Sequence, residues 1–430
     1  MSIPGLGQYT TQPTASTSRT ITLRPFWEWR FDLPHNNSSV SVRLVNGTAE
    51  RDGTELALNH TYTFSRTKSK ILTYSGCTLE ISGQCNDHVA QYATPEESPA
   101  LAHLNLHFAL QTQRTAATSQ LKNGGNAINN DTSLGRGPRV MVCGPASSGK
   151  TTLVRTLAAL ATRTGAQPLV ANVDPREGLL SLPGTMSAAV FGTIMDIEEP
   201  ACGFGVSSTP STGPSLVPVK LPMVYYFGRE KADEDLPLWK DLAAKLASSV
   251  RAKFATDDAV RSAGLLLDTP GVETGKDDLE MLQHAIAEFA INVVVVIGSA
   301  ELHTQLQREL GNQKAPHGEP ITVLFLEKSQ GVVTRDKDFM RSSQNAAIKE
   351  YFFGDSKRTL SPATQSISFN DVAIFRATED ADFYDGQQTL EPAEISAEMS
   401  HWTLAVMNAS VNDPPETIRQ APVMGQWKTW

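Results

Sequence analysis

RVMVCGPASSGKTTLVRTLAAL, residues 139–160, decides the fold. A short apolar run (139–143) leads into a glycine-bounded loop, and the loop opens a helical pattern. The loop reads G-x-x-x-x-G-K-[ST], with Gly144, Gly149, Lys150 and Thr151 at the four fixed positions. Strand, loop and helix in that order are the context in which this pattern binds the phosphates of ATP or GTP. The chemistry accounts for each residue type. Glycines let successive backbone N–H groups turn inward around an anion, and the helix amino terminus adds its positive end. Ser147, Ser148 and Thr152 contribute further donors around the phosphates. Lys150 is expected to reach the β- and γ-phosphates and the Thr151 hydroxyl to ligate Mg²⁺.

Outward from the loop, near-continuous apolar runs recur at QPLVANVD (167–174), AGLLLDTPG (263–271), INVVVVIGS (291–299) and ITVLFLEKS (321–329). Helical patterns stand between several of them, among them 236–254 and 278–290. Apolar strands alternating with helices predict an α/β domain over 138–360, a parallel sheet covered on both faces. Asp174 and Asp268 end two of these strands, where ligands bind such sheets. Either is expected to hold Mg²⁺ through water or to orient a nucleophile, with Asp268, in DTPG, taken beside Thr151 as the metal candidate. DTPG also matches the D-x-x-G switch of GTPases. The guanine-reading N-K-x-D is missing, because the corresponding stretch reads FLEKSQG (325–331).

Ahead of this domain, residues 21–97 alternate apolar and polar residues in short stretches separated by turn residues, such as Asn46-Gly47 and Asp52-Gly53. That pattern predicts a small antiparallel β-domain. Residues 1–20 read as a flexible leader, 98–114 as a linking helix, and 115–137, nearly devoid of large apolar residues, as a flexible insertion. Residues 361–430 read as a short β-rich C-terminal domain.

The bulk numbers bound the function. An apolar fraction of 40% with 6 Trp, 16 Phe and 8 Tyr supports packed domains and argues against wholesale disorder. A net charge of −9 argues against a protein that holds nucleic acid mainly through a global basic excess. The four cysteines, Cys77, Cys85, Cys143 and Cys202, form no CxxC pair. They read as thiols in a reducing compartment, not as a zinc site. No apolar run reaches 18 residues and no secretory pattern opens the chain, so no membrane role is expected.

GPASSGKTTLVRTL, VANVDPREGLLSLPGTMSA, PMVYYFG, GLLLDTPGV, FAINVVVVIGS, KSQGVVTRDKDF and IKEYFFG occur in this order. The set closely resembles the Clp-type subunit of the pre-mRNA cleavage and polyadenylation factor, a family grouped with the polynucleotide 5′-hydroxyl kinases. The resemblance covers about residues 21–425, and SLPGTM and EYFFG carry more of it than the phosphate loop does. It implies ATP and Mg²⁺ as cofactors, the base being held by the N-terminal domain through Glu28 and Lys68. A Glu can accept from an adenine amino group, and a Lys can donate to a ring nitrogen or ribose oxygen. Without the resemblance, both would read as solvated strand residues. It further implies a nucleus-located role in 3′-end cleavage without being the nuclease. The partners implied are the large scaffold subunit (Pcf-eleven type) and other cleavage-factor subunits, with pre-mRNA contacted indirectly or weakly. The C-terminal region is short for the family, as a truncated gene model or an alternative splice product would leave it.

Active members of the family carry an acidic residue on the second strand, an aromatic clamp and two lid arginines. Asp174 matches the acidic position and Arg335 one lid arginine, and these are the candidate catalytic residues. Pro175, Arg176 and Glu177 stand where active members have a Gly-Gln-type turn. The clamp falls at Val272, which cannot stack on a base, and the second arginine falls at Met340, with Arg341 beside it. The expected protein therefore binds ATP and lacks kinase activity. An active RNA 5′-hydroxyl kinase is the alternative, and an ATP-hydrolysing switch built on Gly271 ranks third.

Overall fold

The computed structural model describes residues 18–33, 38–65, 67–123, 135–176, 178–192, 194–198, 222–332, 334–354, 359, 361, 364, 366–368, 370–379, 388–394, 396–400 and 402–428. The chain divides into two compact units. One holds the residues up to Arg51 and Glu55–Ala93; the other holds Asp52–Thr54 and Thr94–Trp430. Glu177 and Cys202, and the leader up to residue 17, lie outside the described residues.

The first unit is built from strands β1 (Ser18–Leu23), β2 (Glu28–Asp32), β3 (Ser39–Gly47), β4 (Glu50–Arg51), β5 (Thr54–Glu55), β6 (Thr61–Ser65), β7 (Lys68–Leu72), β8 (Cys77–Ser82) and β9 (Asn86–Ala90). They form two sheets, ordered β1-β8-β3-β6 and β5-β4-β7-β2-β9. Alternation puts Val40, Val42, Phe64, Leu79 and Ile81 of one sheet, and Trp29, Phe31 and Ile71 of the other, at 3% exposure or less. The Trp29 and Phe31 rings share that face and stack with centroids 4.5 Å apart. The opposite face of β2 and β7 carries Glu28, Arg30, Asp32, Lys68 and Lys70, in antiparallel register.

The second unit begins with α1 (Pro99–Asn123). This helix runs well past Arg114, into the stretch expected to be a flexible insertion. The polar residues there suit a helix because Thr115, Thr118 and Ser119 donate back to the carbonyls four residues earlier, at 2.9 Å each. Ala117 is buried, so that turn also has a packing face.

Then follow β10 (Arg139–Cys143), α2 (Lys150–Arg163), β11 (Leu169–Asn172), β12 (Thr185–Val190), β13 (Met223–Tyr226), α3 (Leu236–Thr256), α4 (Asp258–Ala263), β14 (Leu265–Asp268), α5 (Lys276–Glu288), β15 (Val293–Ile297), α6 (Ala300–Leu310), β16 (Thr322–Leu326) and α7 (Lys337–Phe353). One seven-stranded sheet results, ordered β13-β12-β11-β14-β10-β15-β16. The five expected apolar runs are its parallel strands. β12 and β13 add an antiparallel edge, so the sheet is mostly parallel. Side chains of α1 and α2 pack on one face with Val140, Val142, Val170 and Leu266. Side chains of α3, α5 and α6 pack on the other with Met141, Leu265, Leu267 and Val294. Burial on both faces is why these strands read as unbroken apolar runs.

The C-terminal residues form two two-stranded ladders, β17 (Phe375–Glu379) with β18 (Gln388–Pro392) and β19 (Thr403–Met407) with β20 (Val423–Lys428), and a short helix α8 (Pro415–Arg419). They group with the second unit. Arg419 reaches the Asp235 carboxylate at 2.7 Å, while the other oxygen of Asp235 caps α3 by accepting from the Leu238 N–H at 3.1 Å.

A candidate nucleotide site at the phosphate loop

The loop joins the end of β10 to the start of α2. Gly144 sits at φ +144°, and a Cβ there would lie 2.3 Å from the Ile297 carbonyl oxygen, so no larger residue fits. Ser147 takes a left-handed φ of 52° and Gly149 a φ of 98°, directing the chain around a concave backbone before Lys150 opens the helix. The Ser148 hydroxyl is buried and meets no hydrogen-bond partner among the described residues. A buried unpaired hydroxyl is costly, and a phosphate oxygen would supply the missing partner. The Lys150 ammonium donates to the Pro145 carbonyl at 3.0 Å, folded back over its own loop.

Asp268 ends β14, one strand from the loop, and is 1% exposed. Its Oδ2 accepts from the Thr151 hydroxyl at 2.7 Å. A hydroxyl and a carboxylate held together beside a phosphate loop are hard oxygen donors of the kind Mg²⁺ takes with phosphates and waters. The structure thus brings together the two residues named from the sequence as candidate Mg²⁺ ligands. Two further contacts went unforeseen in the sequence. The Thr269 hydroxyl donates to the Val142 carbonyl at 2.9 Å, and the Val272 N–H donates to the Gly144 carbonyl at 3.0 Å. Gly271 lies so close to the loop that a Cβ would stand 2.9 Å from Ala146. DTPG is thus a clasp on the phosphate loop, and the tight packing demands its glycine.

Asp174 emerges beside this site, since Asn172 pairs in register with Asp268 across β11 and β14. Asn172 pins the turn, accepting from the Asp174 N–H at 3.0 Å and donating to its carbonyl at 2.8 Å. The Asp174 carboxylate accepts from the Arg176 N–H at 3.0 Å, so it also shapes the turn. The buried Trp239 ring donates to the Val173 carbonyl at 2.9 Å and steadies the same segment. On the lid side, a Cβ on Gly149 would contact Val332 at 3.4 Å, and Gln344 of α7 donates to the Arg176 carbonyl at 3.1 Å. Arg335 lies just before α7, its guanidinium 5.9 Å from the Phe339 ring centre.

The positions matched to the clamp and the second lid arginine point elsewhere. Val272 is 1% exposed and belongs to the core beneath α3 and α5. Met340 is 6% exposed, whereas Arg341 next to it is exposed.

In the first unit Glu28 departs from the solvated strand residue that its pattern alone suggests. It is 0% exposed. Lys70 donates to Oε1 at 2.6 Å, and Arg30 donates to Oε2 at 3.0 Å with the Tyr92 hydroxyl at 3.4 Å. Burial raises the carboxyl pKa, but the charges and hydrogen bonds of Lys70 and Arg30 outweigh it and hold the group below its usual range. Lys68 pairs with Asp32 at 3.3 Å on the same sheet face. Tyr92 is pushed up to about 12 by burial and by the Glu28 charge. Lys70, Arg30 and Tyr92 were missed in the sequence, although the i, i+2 spacing of Glu28 and Arg30 places both on one strand face.

A mostly parallel sheet, a phosphate loop leading into α2 and the paired Thr151–Asp268 oxygens define the second unit as a P-loop domain. Comparison with known proteins narrows this. Residues 144–354 match the family described as mRNA cleavage and polyadenylation factor CLP1 P-loop, and residues 22–117 match the N-terminal beta-sandwich domain of polyadenylation factor. The mRNA cleavage and polyadenylation factor CLP1 of Chaetomium globosum is 62% identical, over 99% of this chain and 91% of that protein. The corresponding Neurospora crassa factor is 50% identical over the same shares. A solved complex of Clp1p with Pcf11p, described with the structural basis for ATP loss in a point mutant, superposes with a TM-score of 0.80 at 26% identity, covering 96% of this chain and 91% of that one. The chain belongs to the CLP1 family of mRNA cleavage and polyadenylation factors.

Proposed function

We propose that this chain is an ATP-binding structural subunit of the pre-mRNA cleavage factor, required for 3′-end cleavage in the nucleus without being the nuclease or a working RNA kinase. One contrast carries the reading. The phosphate loop offers the Ser148 hydroxyl, the Lys150 ammonium and the Thr151–Asp268 pair, while Val272 and Met340 are sunk into packed interior at 1% and 6% exposure. Phosphoryl transfer depends on positioning and charge stabilisation, so a chain without an aromatic clamp and a second lid arginine holds nucleotide but does not hold RNA for reaction.

In this reading Gly144, Ser147, Ser148, Gly149, Lys150, Thr151 and Thr152 bind the phosphates, and Thr151 and Asp268 hold Mg²⁺. Glu28 and Lys68 are assigned to the base. Glu28 already has protein donors on both oxygens, so its contribution is a fixed negative end set by Lys70 and Arg30. Bound ATP stabilises the folded chain by mass action. The solved Clp1p chains are in complex with Pcf11p, which supports a Pcf11p-like scaffold subunit as the partner here. Asp174, Arg335 and Arg341 are the residues an active RNA 5′-hydroxyl kinase would use, and that is the second reading.

Capture of the full chain on an immobilised Pcf11p-type fragment tests the subunit role. The wild type saturated with ATP and Mg²⁺ is expected to bind and Lys150→Ala to bind less. Equal capture, or none by either protein, would refute an ATP-supported docking role.

A further inference from the structure

Two helices flank the phosphate loop and are held in different ways. In α2, which the loop opens, ten residues are buried; in the longer α7 only Met340 and Phe352 are. Asp336 starts α7 by accepting from the Phe339 N–H at 2.7 Å. Met340 and Gln344 are one turn apart and share a face, while the exposed Arg341, Asn345 and Lys349 lie along another. The Met340 face is therefore the one turned inward. At its second position it carries a hydrogen bond where α2 carries apolar packing: Gln344 Nε2 donates to the Arg176 carbonyl at 3.1 Å.

That carbonyl is a fixed post. It belongs to the turn that follows β11, which Asn172 pins at both the N–H and the carbonyl of Asp174. The Asp174 carboxylate accepts from the Arg176 N–H at 3.0 Å. The Gly184 N–H donates to the Pro175 carbonyl at 2.8 Å, and the Gly184 carbonyl accepts from the Phe227 and Gly228 N–H groups at 2.9 Å each. The Arg176 guanidinium faces Glu230 at 3.4 Å. Just ahead of α7, Val332 stands against the loop at Gly149, where a Cβ would meet it at 3.4 Å. The α7 end of the domain thus meets the nucleotide site on two sides, at the loop glycine and at the Asp174 turn.

A helix that served as a permanent wall would be held by buried apolar side chains. One net hydrogen bond favours a closed arrangement over an open one by only about fivefold. Elements that move around ligands come from the thinly packed parts of a fold, and α7 is one of these. We propose that α7 is a gate on the nucleotide site, latched by the Gln344 bond to the Arg176 carbonyl, so that ATP enters and leaves when this bond opens. The inference rests on the reading that the loop binds ATP, and it deepens that reading. A latched gate makes the nucleotide a slowly exchanging part of the structure.

Both partners of the latch are protein groups, which gives the gate a kinetic signature. Loosening the latch speeds entry and exit together and leaves the equilibrium constant nearly unchanged. A residue that touched the nucleotide would change exit and affinity instead.

The test is the exchange of α-labelled ATP on the purified full chain with Mg²⁺, followed by filter retention, for both association and chase with unlabelled ATP. Gln344→Glu keeps the side-chain volume but replaces the amide donor with an acceptor, and Gln344→Ala removes the group altogether. Both are expected to raise the association and release rates by about fivefold, the scale of one net hydrogen bond, with Kd within about twofold of wild type. Asn345→Ala, an exposed neighbour on the same helix, is expected to exchange as wild type does, and melting temperatures check that every variant is folded. Three results would overturn the gate: unchanged rates in both Gln344 variants, faster release with Kd weakened in proportion, or equal acceleration by Asn345→Ala. Absence of ATP binding by the wild type would overturn both the gate and the reading beneath it, whereas normal binding with unchanged rates would overturn the gate alone.

Discussion

The phosphate loop and the positions matched to the clamp and lid lie within one unit, yet they are built in opposite ways. The loop is held open by strained backbone, with Gly144 and Ser147 at positive φ and the clasp of Gly271 against Ala146. It leaves a buried hydroxyl for which the described residues provide no partner. Strain and unpaired polar groups persist only where the surroundings enforce them, and they mark a site prepared for a ligand. Val272 and Met340 are the reverse, apolar side chains in low-exposure packing where nothing waits for a ligand. A kinase could lose its activity by substitution alone and keep the pocket. Here Val272 is part of the core, so in the proposed reading the clamp position is filled by packing and not merely substituted.

Removing the Lys150 charge strikes the prepared half and should have the largest effect. Lys150→Ala is expected to weaken ATP binding by about 100-fold, equivalent to roughly 3 kcal/mol, by titration calorimetry. Affinity within a few-fold of wild type would mean the loop does not hold the phosphates. The converse experiment restores the other half. Val272→Trp combined with Met340→Arg is expected to lower stability by about 1–3 kcal/mol, because a large ring must enter filled space, and to gain no RNA kinase activity. A stable double variant that phosphorylates RNA would show that the substrate pocket survives. The smallest effect concerns Glu28, whose donors are internal. Its folded pKa lies below the ordinary 4.5, so its stabilisation is present above that value and is lost as pH falls through the folded pKa. Melting curves should show wild type losing more stability than Glu28→Gln below about pH 4.5. Parallel curves would mean the Lys70 and Arg30 contacts contribute nothing.

The loop was legible in the sequence because its chemistry is local. Gly144 through Thr151 sit within eight consecutive positions, between a strand and a helix that each announce themselves. The parallel strands were legible too, since burial on both faces leaves unbroken runs such as Val293–Ile297. The antiparallel β12 and β13 were not, because pairing direction depends on a return connection and not on composition. The extension of α1 to Asn123 was hidden by Thr and Ser, which look like loop residues until their hydroxyls find carbonyls one turn back. Glu28 and Arg139 show the deeper limit. A charged residue is buried only when distant partners gather around it. For Glu28 these are Lys70 and Tyr92, and for Arg139 they are Phe254 and Asn292. No spacing rule connects positions so far apart in the chain.

The most direct test is to incubate the purified full chain with γ-labelled ATP, Mg²⁺ and a 5′-hydroxyl RNA, and then to analyse both nucleotide and RNA. The account predicts intact ATP retained on the protein and RNA without label. A 5′-phosphorylated RNA would contradict it and make Asp174, Arg335 and Arg341 the residues of a working kinase.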